Sequence, residues 1–283
     1  GYAYNQIRNR SAQAAKELVM NHLSTEEIGK RFPYLYETHL HTSQGSAGGR
    51  NTGAEMAKAC RQAGYTGIFV TDHNWGGNTA ADRSLPWREW VERFAQGYRD
   101  ARKTGERIGL DVFFGWEAGY QGTEFLIYGL TPEWLADHPE LRDADVATQH
   151  EIVNAAGGMV IHAHPFRKEA YIPQIRLFPE AVDGVEGINV SHTNPLTASG
   201  HNGESDRQAR EYAIAHGFPM TAGSDVHSTC LLSGGMAFPR RMKDGEDFVR
   251  TVMSGEDYLL KDGEDWYSRE GIRVAGQTID LTD

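Results

Sequence analysis

Six short stretches of this chain run into side chains that can ligate a metal: Glu37-Thr38-His39-Leu40-His41, Thr71-Asp72-His73, Gly115-Trp116-Glu117, His162-Ala163-His164-Pro165, Asn189-Val190-Ser191-His192 and Gly223-Ser224-Asp225-Val226-His227. A seventh candidate, Glu124, stands just after a short turn. Most of these residues close an apolar run of strand character. Alternate residues of a strand share a face, so Glu37, His39 and His41 point the same way. Few folds bring that many strand ends to one place. A parallel barrel does so, because its functional residues gather at the C-terminal ends of the strands. An open, doubly wound sheet collects ligands only from the strands around its switch point. The series therefore predicts one polynuclear metal site at the mouth of a closed or nearly closed α/β barrel.

The segments between the ligands alternate strand and helix, with short connections, as parallel strands with crossover helices require. Strands are predicted over 35–41, 67–70, 110–115, 159–161, 185–190 and 218–222, the third ending at Glu117. An antiparallel strand over 125–130 returns from the turn Tyr120-Gln121-Gly122-Thr123. Helices are predicted over 52–63, 86–103, 131–156 in two pieces, 206–216 and 248–253, with a short one near 175–181. A helical pattern over 5–30, restarted at Ser24-Thr25-Glu26-Glu27 and ended by Pro33, reads as an extension, 1–33, packed on the barrel. Residues 34–283 read as one hydrolase domain with its ligand-bearing core at 34–240 and a short β-containing tail after Asp257. The loops 74–85, 194–205 and 228–240 follow ligand stretches and are expected to carry specificity.

The formal net charge is −11, which argues against binding long nucleic acids, although bound cations would still admit a small phosphorylated substrate. No apolar run reaches the roughly 18 residues of a membrane span. The cysteines, Cys60 and Cys230, do not form a disulfide framework; Cys60 reads as core, and Cys230 either lines the site or sits in a plain loop. No signal-peptide pattern is visible in the sequence, and a cytoplasmic location is expected.

Imidazole and carboxylate together suit zinc, manganese or iron. The two-residue spacing of His39 and His41 lets both reach one ion. Asp225 and His227 either share an ion or split between neighbours. Two ions about 4 Å apart clamp the attacking and leaving oxygens of a phosphoryl group and ionise a water near neutral pH. Arg50 and Arg167 follow ligand stretches and suit a substrate phosphate. Trp75 either stacks on the substrate or plugs its loop. His162 shares a predicted face with His164 and is either a site residue or core.

Taken together, His39-x-His41-Thr42, Thr71-Asp72-His73, Glu117, His164-Pro165 and Gly223-Ser224-Asp225-x-His227 resemble the motifs of the polymerase-and-histidinol-phosphatase (PHP) superfamily over about residues 34–240. The resemblance implies a distorted (β/α)7 barrel and metal-dependent phosphoesterase chemistry with two or three divalent ions. It implies a first ion on His39, His41, Glu117 and Asp225, a second bridged by Glu117 and held by His164, and a third position at His73 and His227. Asp72 would orient a neighbouring ligand. Ala47 stands where three-metal members carry a histidine, and Glu124 where many carry another; His192, His162 or Glu124 would then complete the second site. The expected catalytic groups are Glu117, Asp225, His227 and His73, and the expected substrate contacts Arg167, Arg50, Trp75 and His162. The function expected is hydrolysis of a small organic phosphate ester by a hydroxide bridging two ions. The alternatives are hydrolysis of a non-phosphate bond on the same metals, or a metal-binding module without catalysis.

Overall fold

The computed structural model describes residues 22–276; the part of the predicted N-terminal helix over 5–21 lies outside them. The chain runs α1 (Thr25–Arg31), β1 (Tyr34–Leu40), α2 (Gly53–Gln62), β2 (Gly67–Val70), α3 (Trp87–Phe94), α4 (Gln96–Ile108), β3 (Asp111–Tyr120) and β4 (Thr123–Tyr128). It continues α5 (Pro132–Ala136), α6 (Val146–Ala155), β5 (Met159–Ala163), β6 (Gly184–Asn189), α7 (Gly203–His216), β7 (Met220–Gly223), β8 (Gly234–Phe238), α8 (Gly245–Ser254), β9 (Leu259–Asp262), β10 (Asp265–Ser268) and β11 (Arg273–Ala275). Ser24 begins α1 and Thr52 begins α2 with reciprocal capping boxes, each closed by a glutamate three residues on.

The eleven strands of the described residues form one mixed sheet in the order β11-β10-β9-β8-β1-β2-β3-β4-β5-β6-β7. β1, β2 and β3 are parallel, as are β5, β6 and β7; β4 runs antiparallel to both of its neighbours. The sheet curls so that β7 returns beside β1. There the Thr38 hydroxyl donates to the Ala222 carbonyl at 2.6 Å, and the His41 N–H donates to the Val226 carbonyl at 2.9 Å. The result is a barrel-like α/β fold. Its interior is filled by residues such as Tyr36, Phe69, Leu126, Ile161, Val185 and Ala222. A second apolar layer under the helices includes Trp90, Phe94, Phe114, Trp116 and Phe125.

The structure departs from the predicted elements in ways that matter for the site. Glu117 lies inside β3 rather than at its end, because the strand continues into a hairpin with β4. The turn residues Gln121 (φ 52°) and Gly122 (φ 89°) are both left-handed, as a two-residue hairpin requires. No helix forms over 175–181. The predicted loop 228–240 contains β8, which pairs antiparallel with β1 and carries the sheet outward to β9. The predicted helix over 86–103 is two helices, α3 and α4. α4 meets α2 backbone to backbone, since a Cβ on Gly53 would overlap the Gly97 carbonyl.

The outward arm of the sheet holds an acidic contact of its own. Asp262, half-buried at the end of β9, accepts from the Thr193 hydroxyl. Burial, reinforced by Asp206 on α7 and opposed by Arg210, pushes its carboxyl up to about 6 from an ordinary value of 3.8. A raised carboxyl favours the folded state fully below the unfolded value, and that contribution is lost as pH rises through about 6. The full rise corresponds to at most ~3 kcal/mol, which partial exposure reduces to about 1–2 kcal/mol. Asp262→Asn is therefore expected to stabilise the protein by that amount at pH 8 and by almost nothing at pH 4. Urea unfolding at the two pH values measures it; an equal effect at both would show that ionisation is not the cause.

Candidate metal centre

Glu117 stands at the centre of the site and is fully buried. Its Oε2 lies 3.2 Å from His39 Nε2, from His41 Nε2 and from His73 Nδ1, and its Oε1 lies 2.9 Å from His164 Nε2. Asp225 Oδ1 lies 3.5 Å from His39 Nε2 and 3.2 Å from His41 Nε2. Glu124, on β4, places Oε1 3.5 Å from His73 Nδ1 and Oε2 3.5 Å from His164 Nε2. The His227 ring stacks on His41 with centroids 4.2 Å apart.

Local structure explains this convergence. Alternation along β1 aims His39 and His41 into one space. His73 follows β2 and forms a parallel bridge with Glu117. His164 and Asp225 leave their strands with φ of 29° and 52°. For residues other than glycine such backbone costs on the order of 1–3 kcal/mol and collects at functional sites.

Four of the inward-facing atoms, His39 Nε2, His41 Nε2, His73 Nδ1 and Glu117 Oε2, are buried without a hydrogen-bond partner. Leaving that many polar atoms unsatisfied in one place is costly unless something bridges them. A second layer sets their tautomers. His39 Nδ1 is 2.7 Å from Glu186 Oε1, and His41 Nδ1 is 3.0 Å from Ser46 Oγ, which itself donates to Asp72 Oδ1 at 2.7 Å. Each imidazole then turns the lone pair of Nε2 toward Glu117, the arrangement of metal-bound histidines. Among the described residues, the one arginine or lysine paired with the carboxylates of Glu117, Glu124 and Asp225 is Arg167, on Asp225. Three donor groups, His39/His41/Glu117/Asp225, His41/His73/His227 and His73/Glu117/Glu124, each bring their ligand atoms within 4.8 Å of one another. The nitrogen and oxygen donors suit a first-row divalent cation.

The charges are strongly coupled. Burial alone would push His39 down, but Asp225, Glu117 and Glu186 override it and hold the imidazole well above its ordinary value; His41 is raised to about 9 against the same burial by Asp225 and Glu117. Glu117 and Asp225 are held well below the usual carboxylate range despite burial, both by His39, with His73 acting on Glu117 and Arg167 on Asp225. Without metal, His39 and His41 therefore hold protons facing the carboxylates, and a cation binding there would displace them.

The remaining candidates fall elsewhere. Arg167 is buried, with Nη2 donating to Asp225 Oδ2 at 2.5 Å and to Ser191 Oγ at 3.1 Å, and Nε donating to His192 Nε2 at 2.9 Å. His192 Nδ1 is 2.7 Å from Asp206. Both ring nitrogens of His192 are thus engaged in the structure, and Arg167 stands between His192 and Asp225. The strand register sets His162 apart from the group. The register pairs Phe125 with His162 and Glu124 with Ala163, so His162 lies on the sheet face opposite Glu124, stacked on Phe125. Trp75 donates from Nε1 to the Arg142 carbonyl and packs on Trp87 and Trp90, so it plugs its loop instead of facing the site. Arg50 does reach the site, at the rim of a cleft of about 800 Å³ that His73, Glu117, Glu124, Asp225 and His227 also line. Sequence reasoning missed Glu186, Ser46 and Asp206. Glu186 carried a usable signal, a charged side chain in the middle of the apolar strand Gly184–Asn189.

Comparison with known proteins bears on the same segments. A family profile described as PHP-associated matches residues 203–256, which include Asp225 and His227. No curated protein matches the sequence. Among solved structures, the fold resembles a two-domain protein of Bacteroides vulgatus described as containing a predicted PHP-like metal-dependent phosphoesterase. The TM-score is 0.61 at 14% identity, over 83% of this chain and 66% of that one. PsfC of Pseudomonas syringae is similar with a TM-score of 0.53 at 14% identity, over 85% of this chain and 90% of that one. The chain thus spans just under two thirds of the length of the two-domain protein, and at these identities the structural likeness speaks for the fold. The profile match over residues 203–256 and the shared fold, with the converged histidines and carboxylates, liken the chain to the PHP superfamily.

Proposed function

We propose that this chain is a metal-dependent hydrolase acting on a small organic phosphate ester, on the distorted (β/α)7 barrel of that superfamily. The observation that carries the proposal is the set of buried, unpartnered donor atoms around Glu117. His39, His41, Glu117 and Asp225 would hold one divalent ion, and Glu117 with His164 would share a second. Such ions supply Lewis-acid polarisation of a phosphoryl group and a water ionised near neutral pH.

The chain's own residues supply position and charge. Glu186 and the Ser46–Asp72 pair lock the tautomers of His39 and His41. Arg167, held by Ser191, His192 and Asp225, keeps a cation on the cleft wall for the non-bridging oxygens of the substrate, and Arg50 adds charge at the rim. Burial pushes the imidazoles of His73 and His227 down to about 3 and about 4. Both are neutral at pH 7 and serve as ligands or proton acceptors, not as proton donors.

The test is phosphate release from a panel of mono- and diesters, aryl, sugar and nucleotide, with protein loaded in turn with manganese, zinc and iron(II). Turnover of at least one ester that stops with chelator is expected. Silence across the panel from protein shown to hold metal would sink the phosphoesterase assignment. One observation keeps a second reading in the panel: Arg50 and Arg167 are the only cationic side chains lining the cleft among the described residues. Carboxylic esters, amides and lactones therefore belong beside the phosphates.

A further inference from the structure

We infer that Glu124 is a direct ligand of the second ion, beside Glu117, with His73 and His164 flanking the two carboxylates. The inference deepens the metal-dependent part of the function proposed above and does not depend on the substrate.

Geometry supports it first. An ion with bonds of about 2.1 Å spaces adjacent donors by about 3.0 Å in an octahedron and about 3.4 Å in a tetrahedron. The four separations here are 3.2 Å (His73–Glu117), 3.5 Å (His73–Glu124), 2.9 Å (His164–Glu117) and 3.5 Å (His164–Glu124). His73, Glu117 and Glu124 bring one donor atom each within 4.8 Å of one another, and His164 meets the other oxygen of each carboxylate. Among the described residues Glu124 accepts no hydrogen bond, and its two oxygens divide evenly between the two imidazoles. A cation between these two adjacent carboxylates would relieve their mutual repulsion.

The rivals for that ligand position are occupied or misplaced. His192 Nε2 accepts from Arg167, and His162 is on the other face of the sheet. His41 cannot serve both sites. Its Nδ1 is bound to Ser46, so the single lone pair at Nε2 belongs with His39, Glu117 and Asp225. The hairpin turn at Gln121-Gly122 is what brings Glu124 back over Glu117. The two carboxylates of the second site therefore come from one local element.

The test is ion content, read without any substrate. Wild-type protein, Glu124→Gln and His192→Ala are loaded with manganese, desalted, and counted for ions per chain by mass spectrometry. Glu124→Gln is expected to carry one ion fewer than wild type, and His192→Ala the full number. Equal content in wild type and Glu124→Gln overturns the inference, as does loss of the ion from His192→Ala alone. Should Glu124→Gln fail to fold, Glu124→Asp withdraws the oxygens by one methylene. At least a 10-fold weaker second site is then expected in a manganese titration, and an unchanged affinity overturns the assignment. A wild-type protein that binds no ion overturns both this inference and the proposed function. Ions lost from Glu124→Gln by a protein that hydrolyses no ester support this inference and sink only the phosphoesterase reading.

Discussion

Glu117→Gln is expected to empty the centre of metal and to lower hydrolysis of any ester the protein accepts by about 10³-fold or more. Gln keeps the size of the side chain and removes its charge. It also places an amide N–H₂ where four imidazole nitrogens now lie within 3.2 Å of carboxylate oxygens. Every donor group that contains a carboxylate includes Glu117, so no ion site with carboxylate character survives intact. An ion's stabilisation of transition-state charge is worth several kcal/mol, which sets the size of the loss. Ion counting and phosphate release on the same preparation measure it. A variant with wild-type metal content and activity within about tenfold of wild type would remove Glu117 from the centre. The metal-free variant should also fold, because the second layer of Glu186, Ser46 and Asp72 is independent of Glu117.

Arg167→Met should have the largest effect on stability. Met retains most of the apolar stem but leaves Asp225 Oδ2 without its guanidinium at 2.5 Å, and Ser191 and His192 without their donor. Breaking a buried ion pair on one side costs about 3–5 kcal/mol. By contrast, Arg207, exposed on α7 with Glu204 and Glu211, lies in the class worth at most ~1 kcal/mol. The metal-free variant is expected to lose the larger amount in urea unfolding at pH 7. Divalent metal should restore a good part of it by supplying another positive charge next to Asp225. Asp225 is held well below the usual carboxylate range, first against burial by His39 and then by Arg167. Its pairing therefore contributes above the unfolded value and fades as pH falls through the folded one, so the penalty of Arg167→Met should shrink on acidification. A loss below about 1 kcal/mol at pH 7 in the metal-free protein would show that the guanidinium does not hold Asp225.

Much of the centre could be read from sequence because its donors sit at short, regular spacing. His39 and His41 share a face by strand alternation alone, and Asp72-His73, His164 and Asp225 each close an apolar run. At His162 and His164 the same local rule failed. His162 and His164 are two apart, but the extended backbone ends at Ala163 and His164 turns away at positive φ. The pairing of Phe125 with His162 then fixes His162 on the outer face.

The sequence by itself determined the chemistry of the donors, their order along the chain and the alternating plan that brings them to one end of a barrel-like sheet. It did so because side-chain direction within a strand is a local property of period two. The tertiary structure alone decided which donors stand within reach of one another, that Arg167 claims His192, that Trp75 plugs its loop, and that Glu124 stands over Glu117. Those outcomes depend on register across the β3–β4 hairpin and on the return of β7 to β1, contacts between residues far apart in the chain that no local periodicity encodes.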